Sequence, residues 1–304
     1  MKSVSYVRYY IELGIGIASI SFAAIFIRLV DAPPAVIAAL RMIFASIFLL
    51  PFVLGARRNR EEIARFSHRD LALVVLAGLL LSLHFILWIT SLSLTGVTSS
   101  VVFVTTNPLF VALYTVLVFK ERVTRTFWIG LLLAIVGGVI LGGGDILEGG
   151  GKWKGDVLAL AGAVAAAGYF LVGGRLRKRL SLVPYIFSVY SVAALALAIL
   201  VLAMGLTFTG YDPRSYLYCL LMALVCQHLG HSMFNRLLKS LETTIVSIGT
   251  LGEPVGATIL AYFILSEVPT APVFIGGIVI VTGIFVVLYC NPRLVGSGEG
   301  MTSG

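Results

Sequence analysis

Residues 107 to 121 read NPLFVALYTVLVFKE, a mostly apolar run of helix length with a proline in second place and a glutamate at its end. The same frame returns at 253 to 267 as EPVGATILAYFILSE, 146 residues further on. Each proline removes an amide donor and presses on the carbonyl four residues back, those of Val104 and Thr250. In hydrocarbon such a break persists only where protein or water satisfies the freed carbonyl. A break repeated in one frame therefore points to a membrane unit present twice.

The same shift of 146 residues, without a gap, aligns Leu92 with Leu238, Thr98 with Thr244, Pro108 with Pro254 and Glu121 with Glu267. It continues through Thr124 and Thr270, Ile129 and Ile275, Gly130 and Gly276, and Gly137 and Gly283. Further back, with small gaps, Pro34 and Pro184 open corresponding helices. Composition agrees with a polytopic membrane protein: 59% of residues are hydrophobic, 12% are charged and the mean hydropathy is +1.03. No soluble domain is left over, and RRNREEIARFSHRD at 57 to 70 reads as a loop with an amphipathic surface turn.

Crossing hydrocarbon as helix takes about 20 apolar residues. Ten such runs occur, near 10–30, 35–55, 71–92, 97–119, 125–143, 155–174, 182–205, 215–238, 243–265 and 271–290. The first is too long for the apolar core of a secretory signal and is read as a span. Cys219, Cys226 and Cys290 all lie in these runs and form no disulfide framework.

The expected fold is an all-α membrane protein, ten transmembrane helices in two five-helix repeats at 10–143 and 155–290, followed by a flexible cytoplasmic tail at 291–304. Five is odd, so the second copy enters the membrane from the opposite face, the inverted architecture of alternating-access transporters. Of the 22 Lys and Arg, seventeen fall on the side of the termini and four on the other, while Arg41 lies within a span. Basic excess marks the cytoplasmic side, so both termini are expected there. The net charge of +8 reports that orientation and predicts no nucleic-acid partner.

These repeated residues, with Arg41 after Pro34, resemble the EamA-type repeat of the drug/metabolite transporter superfamily, from about residue 12 to 290. Within it the texture is similar to the YddG-type exporters of aromatic and other amino acids. The resemblance implies export of small metabolites through a central cavity by alternating access, in a bacterial-type inner membrane. Two departures stand out: Ser191 occupies the place matching Arg41, and Asn107 stands where the second copy has Glu253.

Ionisable residues deep in a span are functional candidates by default. His84 in the third run, His228 and His231 in the eighth and Glu253 in the ninth meet that description. His84 and Trp88 share a helix face, and Gln227, His228, His231 and Asn235 recur at helical spacing. Ser19 and Ser21, Tyr169 and Ser247 complete the expected ring of an amphiphile-binding cavity, with Trp88 and Tyr169 as walls. Pro108 and Pro254 are the expected hinges, with kinks made by helix packing alone as the alternative. Arg41 either pairs with Glu253, snorkels outward or caps the first helix. Thr124 and Thr270 are expected N-caps, and Glu121 and Glu267 structural anchors at opposite membrane faces.

The spacing of His228 and His231 offers two metal ligands where a catalytic zinc takes three from protein, so no metal is expected. No nucleophile motif, phosphate loop or carboxylate pair is present, so neither an enzyme nor a cofactor is expected. The partners foreseen are the lipid bilayer and an amino acid, aromatic or hydrophobic first, carried by a monomer. A multidrug or nucleotide-sugar carrier of the same fold is the alternative, and an intramembrane enzyme a remote one.

Overall fold

The structure, a computed structural model, describes residues 2–118, 120, 122–147, 153–265 and 271–289. Glu121, Glu267, Thr270, Cys290 and the tail at 291–304 lie outside the described residues.

Ten helical spans follow one another. Span 1 is Lys2–Arg28, span 2 Pro34–Gly55, span 3 His68–Ser91, span 5 Arg125–Leu147, span 6 Trp153–Arg177, span 7 Leu182–Ala203 and span 10 Ala271–Tyr289. Span 4 comes in two pieces, Val97–Val104 and Asn107–Leu117, and span 8 covers Pro213–Leu237. Span 9 comes in three pieces, Thr243–Ile248, a 3₁₀ turn Gly249–Gly252 and Glu253–Leu265. Among the described residues, nine helices are long and apolar enough to cross a membrane, and the apolar part of span 5, Arg125–Leu141, is shorter. The arginine-rich stretch after span 2 is a separate surface helix, Arg57–Ala64, with no buried residue.

Local chemistry sets the starts. Ser67 and Asp70 form a reciprocal capping box ahead of span 3, with Asp70 N donating to Ser67 Oγ at 3.1 Å and Ser67 N to Asp70 Oδ2 at 3.2 Å. Thr124 caps span 5 as expected, accepting from Phe127 N at 3.2 Å. Pro34 and Pro213 occupy the first helical turn, where no donor is lost.

The halves interleave. Span 3 packs along span 6 as span 8 packs along span 1, and span 4 meets span 6 as span 9 meets span 1. Spans 2 and 7 pair with each other, and so do spans 5 and 10. Each contact therefore has its repeat mate, as two inverted copies require. The repeated glycines explain the last pair: a Cβ on Gly137 would lie 2.7 Å from the Gly276 carbonyl, and one on Gly283 2.7 Å from Ala134 N. Small residues let two membrane helices touch backbone to backbone.

Span 8 departs from the expected regular helix. Met222–His231 winds as π-helix, with Ser232 Oγ donating to the Gln227 carbonyl five residues back at 3.1 Å. The wider turn rotates successive side chains away from the 3.6-residue period, so residues that share an α-helical face no longer do.

Candidate functional site

Where spans 1, 3, 4, 6, 8 and 9 converge they leave a cavity of about 30 Å³, lined by Ile20, Ala23, His84, Trp88, Thr105, Asn107, Tyr169, Phe170, His231, Thr250 and Glu253 among others. That is room for one or two waters, since a single water needs roughly 10–15 Å³ on this measure. An amino acid does not fit without the spans moving apart.

The two helix breaks meet at this cavity. Thr105 and Thr106 interrupt span 4, and Thr106 Oγ1 donates to the Phe103 carbonyl at 2.6 Å. Asn107 Nδ2 donates to Thr250 Oγ1 at 2.9 Å and reaches the Val104 carbonyl, the one Pro108 frees, at 3.5 Å. Thr250 Oγ1 in turn donates to the Ser247 carbonyl at 2.7 Å. In span 9 the Thr250 carbonyl that Pro254 frees takes the Glu253 backbone N–H of the 3₁₀ turn, so both interruptions are satisfied, and Asn107 ties them across the two halves. Pro108 and Pro254 both stand second in the helical piece after the break, where a missing amide costs least.

The polar groups are held from behind. His84 Nδ1 lies 3.0 Å from the Gly162 carbonyl, which can only accept, so that nitrogen carries the proton and Nε2 is left as an acceptor. His84 stacks on Trp88 with ring centroids 6.0 Å apart, and His231 meets Phe85 edge-on at 5.5 Å. Tyr169 OH accepts from Asn235 Nδ2 at 2.6 Å. Glu253 is 8% exposed, and its backbone carbonyl takes a 3.5 Å bond from Ser21 Oγ.

Of the residues expected from sequence, His84, Trp88, Tyr169, His231 and Glu253 line the cavity, and Ser19, Gln227, His228 and Ser247 do not. Ser19 is buried outside the lining, and its neighbour Ile20, which also packs on Gly230 of span 8, takes the cavity face. Ser247 is buried and donates to its own helix at Thr244 O, 2.8 Å away. The π-turn carries His228 to the span 2 side, against Phe48 at 4.9 Å and Tyr190 at 6.2 Å. His228 and His231 therefore face different surroundings and do not form one ligand pair.

Arg41 does not snorkel. It is fully buried, donates to Gln227 Oε1 from Nε at 3.2 Å and Nη2 at 3.0 Å, and lies 4.0 Å over the Phe85 ring. Phe85 separates it from the cavity side, where His231 packs on the other edge. Arg41, Thr105, Phe170 and Thr250 were absent from the expected ring, although threonines beside a repeated proline and an arginine inside a span are visible signals. Trp88 Nε1, Asn107 Oδ1, His231 Nδ1, Arg41 Nη1 and Gln227 Nε2 are buried without a partner among the described residues.

A larger groove of about 740 Å³ runs between the second half of span 9 and span 10. Its threonine hydroxyls serve their own helices, Thr258 donating to Pro254 O and Thr282 to Ile278 O, and Phe263 and Ile278 in its wall are 75% and 68% exposed. It is a lipid-facing crevice without a charged group.

The model of the EamA-like transporter family matches residues 10–143 and again 153–289. The chain belongs to the EamA-like transporter family. This transporter is 26% identical over 266 residues to an S-adenosylmethionine uptake transporter of Rickettsia prowazekii, covering 86% of this chain and 85% of that one. It is 24% identical over 282 residues to the uncharacterized transporter YdfC of Bacillus subtilis, covering 90% and 88%. In structure it is similar to a crystallised protein at a TM-score of 0.78 and 17% identity, over 94% of this chain and 98% of that one, which shows the shared fold.

The geometry separates the histidines. His228→Leu is expected to leave initial transport rates within about twofold of wild type, whereas His84→Leu, which strips a polar group from the cavity wall, lowers them about tenfold or more. Initial-rate measurements in proteoliposomes read both.

Proposed function

We propose that this transporter carries α-amino acids with bulky, largely apolar side chains out of the cytoplasm, by alternating access around the cavity that Glu253 lines. The observation that carries this reading is a buried carboxylate, Glu253, on a cavity walled by Trp88, Tyr169 and Phe170, with the Arg41 guanidinium buried behind Phe85 and not paired with it. Gln227 takes two of the Arg41 donors and leaves Nη1 unpartnered. A zwitterion complements this arrangement once the spans part: its ammonium meets Glu253 and Asn107 Oδ1, and its carboxylate turns toward His231, with the Arg41 charge behind Phe85. Trp88, Tyr169 and Phe170 then receive the side chain. Burial makes such complementary charges worth more than they are in water, and leaving them unmatched is costly.

The relatives named for S-adenosylmethionine uptake accept a molecule that is itself an α-amino acid with a large side chain. The same charge pair serves either substrate, and a sulfonium on an aromatic wall is favourable. The basic excess on the side of the chain ends supports an inner-membrane orientation with both termini in the cytoplasm. Among the described residues that line the cavity Glu253 is the one carboxylate, which favours a facilitated cycle over a proton-coupled one.

Liposomes preloaded with radiolabelled tryptophan, threonine, S-adenosylmethionine or a UDP-sugar test the reading. Saturable efflux of tryptophan, faster than threonine and indifferent to an imposed pH gradient, is the expected result. Efflux of S-adenosylmethionine alone would move the substrate assignment to that molecule. Efflux of the UDP-sugar with no amino acid moved would overturn it.

A further inference from the structure

The two membrane faces are closed by different chemistry. On the face where span 1 begins and span 10 ends, Glu12 of span 1 forms an ion pair with Arg236 at the end of span 8 at 3.4 Å and accepts from Arg8 Nε at 2.8 Å. Its side chain is only 10% exposed. Beside it, Asp70 at the start of span 3 pairs with Arg179 of the other half at 2.7 Å, and Glu62 accepts from Ser181 N at 2.6 Å. On the opposite face Asp156, in the first turn of span 6, accepts from Thr95 Oγ1 and Ser99 Oγ at 2.8 Å each, and Gly155 sits against Thr95 so closely that a Cβ there would lie 2.7 Å from the Thr95 Cβ.

Both acids therefore join the first span of one half to a region that follows or ends the third span of the other half. Glu12 ties span 1 to span 8, and Asp156 ties span 6 to the link between spans 3 and 4. They stand 144 residues apart, each in the first span of its half. Separate closures, ionic on one face and charge-to-hydroxyl on the other, are what a cavity needs if each face is to open without the other.

We propose that Glu12 and Asp156 are the two gate acids of this transporter. Release of Glu12 from Arg236 lets spans 1 and 8 part and opens the cavity to the face of the chain ends. Release of Asp156 from Thr95 and Ser99 lets span 6 part from spans 3 and 4 and opens the other. The inference rests on the alternating-access part of the proposed function and not on which substrate is carried.

A cavity reporter tests it without any substrate. Ala166 lines the cavity at 4% exposure, so Ala166→Cys, with the three native cysteines replaced by alanine, reports which face has access. The protein is reconstituted in one orientation and labelled with a membrane-impermeant thiol reagent supplied from either side. Glu12→Gln and Arg236→Gln are each expected to raise labelling from the chain-end face about fivefold, the lower end of typical coupling. Asp156→Asn, and separately Thr95→Val with Ser99→Ala, raise it from the opposite face. About 1 M salt raises labelling of the unsubstituted gates from the chain-end face, because screening loosens an ion pair there. The exchange of Glu12→Arg with Arg236→Glu returns that labelling to its starting level, which misfolding would not do. Unchanged labelling in all four variants, or Glu12 and Asp156 variants that open the same face, would overturn the proposal. Failure of amino acid efflux with the labelling pattern intact would instead count against the substrate alone.

Discussion

Gly276→Leu is expected to drive spans 5 and 10 apart and to destabilise the transporter by about 3 kcal/mol or more, at the upper end of what overpacking a filled interior costs. A Cβ at Gly276 would lie 2.5 Å from the Gly137 carbonyl and 2.6 Å from Leu141 N, both backbone atoms that cannot swing aside. Gly137→Leu should do the same from the other helix, with Ile280 N 2.7 Å away. The neighbouring Gly277→Leu is the control. Its Cβ would meet only Val255 methyls at 3.9 Å, and the repeat mate of Gly277 is already a leucine, Leu131. Thermal unfolding in detergent, followed by size-exclusion chromatography, should show a large fall in midpoint for Gly276→Leu and little change for Gly277→Leu. Equal tolerance of both would mean that the close crossing of spans 5 and 10 is not a stability determinant.

Arg41→Ala has the second large effect. The guanidinium is fully buried, and its removal leaves the Gln227 side chain without its partner and opens a void above Phe85. Leaving a buried amide unpaired costs about 1–3 kcal/mol, and the void adds to it. The stability and the transport parts are separable. Arg41→Leu combined with Gln227→Leu replaces the polar pair by apolar groups of similar size, and such replacements are often neutral for stability. The double variant is therefore expected to recover most of the unfolding midpoint while substrate efflux stays at least about tenfold below wild type, since the positive charge behind the cavity wall that favours a substrate carboxylate is gone. Recovery of efflux together with stability would reduce Arg41 to a packing residue and remove the zwitterion argument.

The repeat was legible because its carriers are residues that lipid-facing sequence does not otherwise use. Pro108, Pro254, Gly130, Gly137, Gly276 and Gly283 stand in register, and each does a job that no larger or hydrogen-bonding residue does in its place. Five cavity residues could be found for the same reason: His84, Trp88, Tyr169, His231 and Glu253 are polar or amphipathic where neighbours are aliphatic. Span 8 defeated the α-helical period. Nothing in MALVCQHLGH marks a π-turn, yet that turn sends Gln227 to Arg41, His228 to Phe48 and His231 to Phe85. Ser19 and Ile20 likewise differ by one position in a helix whose apolar composition does not fix its rotation.

By itself the sequence determined that this chain crosses a membrane ten times as two opposed copies of five helices, with a break in each copy at a proline. Hydrophobic run length and the spacing of prolines and glycines are local or periodic properties, and a linear chain displays them directly. Only the tertiary structure decided that the two breaks meet through Asn107 and Thr250, that Arg41 turns inward to Gln227, and that Glu12 and Asp156 close opposite faces. Those contacts join spans from different halves, and which side chain reaches which depends on helix rotation and packing distance. Hydrophobic periodicity leaves both open when lipid and protein interior are equally apolar.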